Sequence, residues 1–176
     1  MKSFKDEELV IAKGLEHPNV LHFFDRGEEF IYKGGEKKDK RLFLVSDLCE
    51  KGELFDFILN LQMNMDMDGL PENICRFLFT QIISGVEYLH GRGITHRDLK
   101  CDNIFLDQNA STRIADFGLS KIFSGEGQSI LTTRCGTLNH MAPELSAHKA
   151  YDGPAVDVFA CGVILFTMLT CLPPFE

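Results

Sequence analysis

The stretch Ile94–Asp107, ITHRDLKCDNIFLD, sets a histidine, an arginine, a lysine and three aspartates between two apolar runs. Buried charge is costly unless it is paired, hydrogen-bonded or bound to a metal. The flanks look like core, so so dense a cluster implies a fixed site. The segment that follows sharpens this. IFL (Ile104–Leu106) and TRIA (Thr112–Ala115) read as strands around a turn at Asp107–Ala110. Folding there pairs Leu106 with Ser111 and Asn103 with Ile114, and brings Asn103 and Asp116 to one open end of the hairpin. An amide oxygen and a carboxylate together are hard oxygen ligands. Mg²⁺ accepts such ligands while keeping its waters and phosphate oxygens. Alone, either residue would be a turn aspartate or a capping asparagine. Placed by one hairpin, with Asp98 five residues before Asn103, they favour a site.

Composition narrows the remaining classes. With 176 residues, 44% hydrophobic and 25% charged, the chain is long and apolar enough for one soluble globular domain or part of one. A net charge of -8 and no basic stripe leave no nucleic-acid partner to expect. The longest basic run, KGGEKKDKR (Lys33–Arg41), is diluted by Glu36 and Asp39 and reads as a solvated loop. Six cysteines lack metal-like spacing, and several lie in apolar runs. They read as reduced thiols of a cytoplasmic or nuclear protein. The start, MKSFKDEEL, has no apolar signal region. Val158–Leu172 is apolar throughout, but a membrane span needs about 20 residues. Asp157 precedes it and Pro173 stops it, so the run reads as a buried core helix with no membrane insertion.

Elsewhere, residues 3–17 read as a helix with a Ser3/Asp6 capping box, ended by His17-Pro18. Phe4, Glu8, Ile11 and Leu15 share one face, which leaves Glu8 as a carboxylate in an apolar stripe: in water at its edge, or awaiting a cation from elsewhere. VLHFFD and RLFLVSD read as strands joined by the Gly/Lys loop, and KGELFDFILNLQ starts a helix after Gly52. A long helix follows, with Pro71 in its first turn and Gly91 as its C-cap. Its predicted apolar face is Ile74, Phe77, Leu78, Ile82, Val86 and Leu89. Between the helices, NMDMDG resembles half of a calcium loop, but the twelfth position is Cys75 instead of a glutamate, so a polar connection is the better reading.

HRDLKCDN (His96–Asn103), DFG (Asp116–Gly118) and APE (Ala142–Glu144), in that order, resemble the signature of the eukaryotic protein kinases. The resemblance covers the whole chain and is nearest in general look to the calcium/calmodulin-dependent and AMP-activated kinase group. It implies an α+β, protein-kinase-like fold. Residues 1–48 would be a partial N-lobe, with the family's helix C and strands 4 and 5. Residues 49–176 would be a mostly helical partial C-lobe, ending after the family's helix F.

The resemblance also implies roles. Asp98 orients and deprotonates the substrate hydroxyl, Lys100 contacts the transferring phosphoryl group, and Asn103 and Asp116 hold Mg²⁺. His96 packs inward. Glu8 becomes the helix-C glutamate that pairs with a lysine on the family's third strand. Asp47 and Cys49 meet the adenine of ATP through backbone groups. Ser46 is a small gatekeeper with a roomy pocket behind it, and Glu53 binds ribose or a basic substrate side chain. Lys100, two residues after the base, and Thr137 in CGTLNHMAPE indicate serine/threonine protein substrates. The usual GTP.Y.APE reads here with Leu138 and His140, which departs from the pattern. Arg97 beside Asp98 implies control by phosphorylation of the loop, with Thr133 as the site and Thr132 as runner-up.

No G-x-G-x-x-G loop and no V-A-I-K-like strand precede Glu8, and Glu144 lacks the arginine that the family pairs with it. The chain therefore reads as a piece of a Ser/Thr kinase, expected to be inactive alone. A pseudokinase-like binding or regulatory module is the alternative, although Asp98, Asn103 and Asp116 are all intact. A small-molecule phosphotransferase would share Asp…Asn…Asp but generally lacks the GT…APE segment, and no G-x-x-x-x-G-K-[ST] exists for a P-loop enzyme.

Overall fold

The computed structural model describes residues 14–33, 36–65, 68–123, 129–146 and 150–175. Strands β1 (Phe23–Lys33) and β2 (Glu36–Ser46) form an antiparallel hairpin, in register from Phe23↔Ser46 to Lys33↔Glu36 apart from two irregularities. Most of the run expected to be a solvated loop is thus strand. Ladder pairing uses backbone groups, and a two-stranded sheet need not bury a side chain to form, so charge in the sequence does not oppose it. Gly27 faces Phe43 across the hairpin, and a Cβ at Gly27 would strike the Phe43 ring, which lies over the glycine.

The helix expected through His17 falls largely on residues 1–13, outside the described residues, and Glu8 is among them. From Gly14 onward the chain is not helical. Gly14 weakens a helix, and Pro18 biases His17 away from helical geometry. This segment instead joins the core. Leu15 and Val20 are buried, Ile114 N–H donates to Asn19 C=O (2.9 Å) and Leu21 N–H to Ile114 C=O (2.9 Å).

After the two-residue strand β3 (Gly52–Glu53), α1 (Leu54–Met65) and α2 (Glu72–Gly91) supply about a third of the main core. The buried face of α2 is Cys75, Leu78, Ile82, Gly85, Val86 and Leu89. Ile74 and Phe77 are exposed, which corrects the expected stripe by about one position. The reason lies at Gly85, where a Cβ would stand 2.7 Å from Ile114 Cδ1 and 2.8 Å from Asn19 O. A glycine contributes nothing to a hydrophobic count, yet it brings α2 close to the sheet. The capping expectation shifts as well: Gly91 is the last helical residue, Arg92 is the C-cap, and Gly93 (φ +71°) takes the left-handed turn.

Strand β4 (Ile94–Thr95) pairs with β7 (Lys121–Ile122), and β8 (Ile130–Leu131) with β9 (Tyr151–Asp152). Between them, β5 (Ile104–Leu106) and β6 (Thr112–Ile114) form the anticipated hairpin one residue out of the predicted register, as Ile104↔Ile114, Phe105↔Arg113 and Leu106↔Thr112. The turn is longer than assumed. Asp107 N–H donates to Ser111 C=O (3.0 Å), and Ala110 adopts φ 60°. In the observed register Ile104, Leu106, Thr112 and Ile114 all face inward. A one-residue slip would turn one strand over.

A short helix, α3 (Pro143–Ser146), leads to α4 (Gly153–Thr170), which packs along α2. By length and composition α4 is apolar enough to cross a membrane. Its Val156, Ala160, Cys161, Ile164 and Met168 are buried against the rest of the core.

Candidate active site

The cluster that opened the sequence reading lies on a loop strapped between β4 and β5. Asp157, on the first turns of α4, holds that loop. One carboxylate oxygen accepts the N–H of His96 (2.8 Å), the Thr95 hydroxyl (3.0 Å) and contacts His90 Nε2 (2.9 Å); the other accepts the N–H of Arg97 (2.8 Å). Asp157 is 1% exposed. Burial alone would push its carboxyl up. The His90 bond, the charge of His96 and the backbone N–H groups of Arg97 and His96 outweigh it and hold the carboxyl below the usual carboxylate value. Sequence reading placed no role here. The available signal was a lone aspartate at the head of an apolar run, a place where an unpaired charge does not survive.

The loop's own side chains complete the frame. His96 is fully buried, with Nε2 2.9 Å from Ala115 C=O and its ring against Phe117, the inward packing expected of it. Arg97 adopts φ 68° and donates from Nε to Leu119 C=O (2.6 Å). Asp98 accepts the Thr137 hydroxyl on Oδ1 (2.8 Å). Asn103 Nδ2 donates to Asp98 Oδ2 (3.2 Å) and to Asp98 C=O (2.8 Å). Lys100 Nζ lies 3.9 Å from Asp98 Oδ2. The structure therefore brings Asp98, Lys100, Asn103 and Thr137 into one cluster. Two bonds fix the Asp98 carboxylate, and each bond comes from a different segment of chain.

Asn103 spends its amide hydrogens on Asp98, which leaves Oδ1 as its free-facing hard ligand. Ala115 N–H donates to Asn103 C=O (2.9 Å), so Asp116, the next residue, stands at the same end of the β5–β6 hairpin. Asp116 is exposed, in left-handed geometry (φ 62°), and caps the following turn by accepting Gly118 N–H (3.3 Å). Non-glycine residues in this region of backbone space store about 1–3 kcal/mol each, and they concentrate at functional sites. Two of the four among the described residues, Arg97 and Asp116, belong to this cluster. Among the described residues no group of three or more His, Cys, Asp or Glu could hold a metal.

The expected nucleotide-side residues lie apart from this cluster. Ser46 ends β2 and donates its hydroxyl to Asp47 C=O (3.2 Å). Asp47 N–H donates to His22 C=O (3.0 Å), and Cys49 C=O accepts Gly52 N–H (3.1 Å). Asp47 therefore has both backbone groups engaged within the chain. Its carboxylate lies 4.0 Å from Arg113, which also reaches Asp107 (3.4 Å). Glu53 pairs with Phe105 in β3–β5. All six cysteines are free thiols. Cys101, inside the catalytic-type loop, is buried and its thiol is pushed up to about 12 by that burial, so it is an inert packing group.

Downstream, Tyr151 is a second residue that sequence reading overlooked. It is buried, and its hydroxyl donates to Thr133 C=O (2.8 Å); burial pushes its phenol up, and the nearby Arg97 charge opposes that. Thr132 and Thr133 are themselves exposed. Tyr151 thus ties the backbone of the expected phosphate site to the core, with the expected phosphate-binding arginine nearby.

Comparison with known proteins agrees with this geometry. The family model described as "Protein kinase domain" matches residues 2–176. CBL-interacting serine/threonine-protein kinase 16 of Arabidopsis thaliana is 36% identical over 97% of this chain and 35% of its own length. Serine/threonine-protein kinase GIN4 of Saccharomyces cerevisiae is 41% identical over 97% of this chain and 14% of its own. Serine/threonine protein kinase OSK3 of rice is 38% identical over the whole chain and 31% of its own. The chain spans about a third or less of the length of these relatives.

Proposed function

The chain belongs to the protein kinase domain family, and from that membership we propose that it forms the catalytic part of an ATP- and Mg²⁺-dependent serine/threonine protein kinase. The observation that carries this reading is the fixed Asp98 carboxylate, aimed by Thr137 and Asn103 with Lys100 beside it. Phosphoryl transfer asks a protein mainly for positioning and charge neutralisation. Asp98 orients the substrate hydroxyl and takes its proton as that oxygen bonds to the γ-phosphorus of ATP and ADP leaves. Lys100 places its ammonium against the transferring phosphoryl oxygens. Asn103 Oδ1 and the Asp116 carboxylate would hold Mg²⁺, which neutralises charge on the phosphates. Ser46, Asp47, Cys49 and Glu53 form the nucleotide side, with the Asp47 and Cys49 backbone groups facing the adenine.

Residues 1–48 would contribute to an N-lobe and residues 49–176 to a C-lobe. Phosphorylation of Thr133, with Thr132 second, would act on Arg97, whose charge lies near the Tyr151 side chain that holds the Thr133 backbone. The free thiols suit the cytoplasm or nucleus.

The test is transfer of labelled γ-phosphate to serine- and threonine-containing peptides by the full-length protein that carries this chain. Asp98→Asn should lower kcat by about 10²-fold or more, the scale of a positioned general base. Its melting temperature should hardly change, because the amide oxygen can keep the Asn103 bond while the amide N–H donates to the Thr137 hydroxyl, which can also accept. Unaltered turnover in that variant removes Asp98 from the reaction; no transfer by the parent protein favours the binding-module alternative.

A further inference from the structure

His140 occupies the place where the resembling family carries a tyrosine, in the turn Leu138–His140 directly after Thr137. Its ring is half-buried, and its Nδ1 is fully buried with no hydrogen-bond partner among the described residues. An orphaned ring nitrogen of this kind calls for an explanation, because a buried polar atom left unpaired costs about 1–3 kcal/mol. The same residue lines a small cavity of about 10 Å³ beneath the catalytic loop. Arg97, Asp98, Leu99, Thr137, Met141 and Asp157 are among the residues that line it with His140. That volume is about what the centre of one water needs, and besides His140 the lining includes polar residues of the kind that hold a water in place.

We propose that this cavity is a specific site for a single water, bound by His140 Nδ1 and the catalytic-loop wall, and that His140 is thereby a positioning residue for Asp98. An imidazole is shorter than a phenol. Imidazole plus water fills the space of a tyrosine and returns a hydroxyl-like donor to the interior. The loop that carries Thr137 and the loop that carries Asp98 are then joined twice, once by the Thr137–Asp98 bond and once through the water. Burial favours the neutral ring; of the charges nearest it, Asp102 and Asp98 oppose that effect and Lys100 adds to it. The water serves either neutral tautomer, since it can donate to Nδ1 or accept from it.

The positioning role rests on the kinase reading, whereas the water does not, so the two are tested separately. A high-resolution crystal structure of the full-length protein that carries this chain should show one ordered water within hydrogen-bond distance of Nδ1. Density for a direct Nδ1 bond to a protein group, or a cavity without water, overturns the site. His140→Phe, which cannot hold the water, should lose it and melt about 3 °C lower, and His140→Tyr should place its hydroxyl in the cavity and melt at or above the parent. Should either variant fail to fold, the nitrogen-15 shift of Nδ1 in the parent chain reads the same bond. In full-length protein, His140→Phe should lower kcat several-fold with KM for ATP unchanged, and His140→Tyr should restore it to within about twofold. Equal kcat in all three overturns the positioning role while the structural result stands or falls alone. A parent protein with no transfer activity overturns the kinase reading instead.

Discussion

The catalytic-type loop and the β1–β2 hairpin carry similar densities of charge and apolar side chains, and the fold treats them in opposite ways. In the loop, one buried carboxylate gathers two peptide N–H groups, a hydroxyl and an imidazole, and nearly every polar group has a named partner. In the hairpin, Phe43, Leu44 and Val45 are consecutive and all exposed, so both faces of the two-stranded sheet meet solvent there. A hairpin of two strands is marginal in water without a covered face. Local order in the first region comes from contacts about 60 residues apart, whereas in the second it comes mostly from the ladder itself. The same residue types therefore carry different weights, and the difference lies in what packs against them.

Asp157→Ala is the strongest way to break this comparison. It leaves the N–H groups of His96 and Arg97 buried and unpaired, and urea unfolding should show a loss of about 3–5 kcal/mol. A loss below about 1 kcal/mol would mean that the loop is held by other contacts. The same carboxylate sets a pH dependence. Its folded pKa lies below the ordinary value of 3.8, so its contribution is complete above that value. It is lost as pH falls from 3.8 through the depressed folded value, and a melting series across that window should slope in the parent and flatten in Asp157→Asn.

Thr112 sharpens the comparison from the other side. Its hydroxyl is buried at the edge of the well-bonded region and has no partner among the described residues. Thr112→Val should therefore stabilise the protein by up to about 1 kcal/mol in the same unfolding assay, by relieving an unpaired group at nearly constant shape. A loss of 1 kcal/mol would place a bonded water on that hydroxyl. In the hairpin, Phe43→Ala uncovers Gly27 and should cost only about 0.5 kcal/mol, the scale of one cross-strand pair. A cost above 2 kcal/mol would show that the hairpin is packed as firmly as the loop.

The sequence was most legible where chemistry dictates residue type. His96, Asp98, Lys100, Asn103, Asp116 and Thr137 stand out because such polar clusters are costly without a purpose, and the structure brings Asp98, Lys100, Asn103 and Thr137 together. It was least legible where position depends on partners distant in the chain. The phase of α2 turns on Gly85, which makes room for Ile114 and Asn19 but has no hydrophobic signature. The β5–β6 register turns on a left-handed Ala110 that no turn rule singles out. The strand over Glu36–Ser46 is hidden by its lysines. Asp157 and Tyr151 look incidental until the segments they bond, Thr95–Arg97 and Thr133, are seen beside them.

The Asp157 carboxylate has a consequence in time as well as in space. It lies 60 residues after Arg97, the nearer of the two backbone donors it holds. At about 5–20 residues per second, a ribosome that has just made the loop needs roughly 3–12 s to make its anchor. Throughout that interval the nascent chain carries the peptide groups of His96 and Arg97 without their acceptor. The loop that would do the chemistry is thus among the last parts of this chain to become rigid during synthesis.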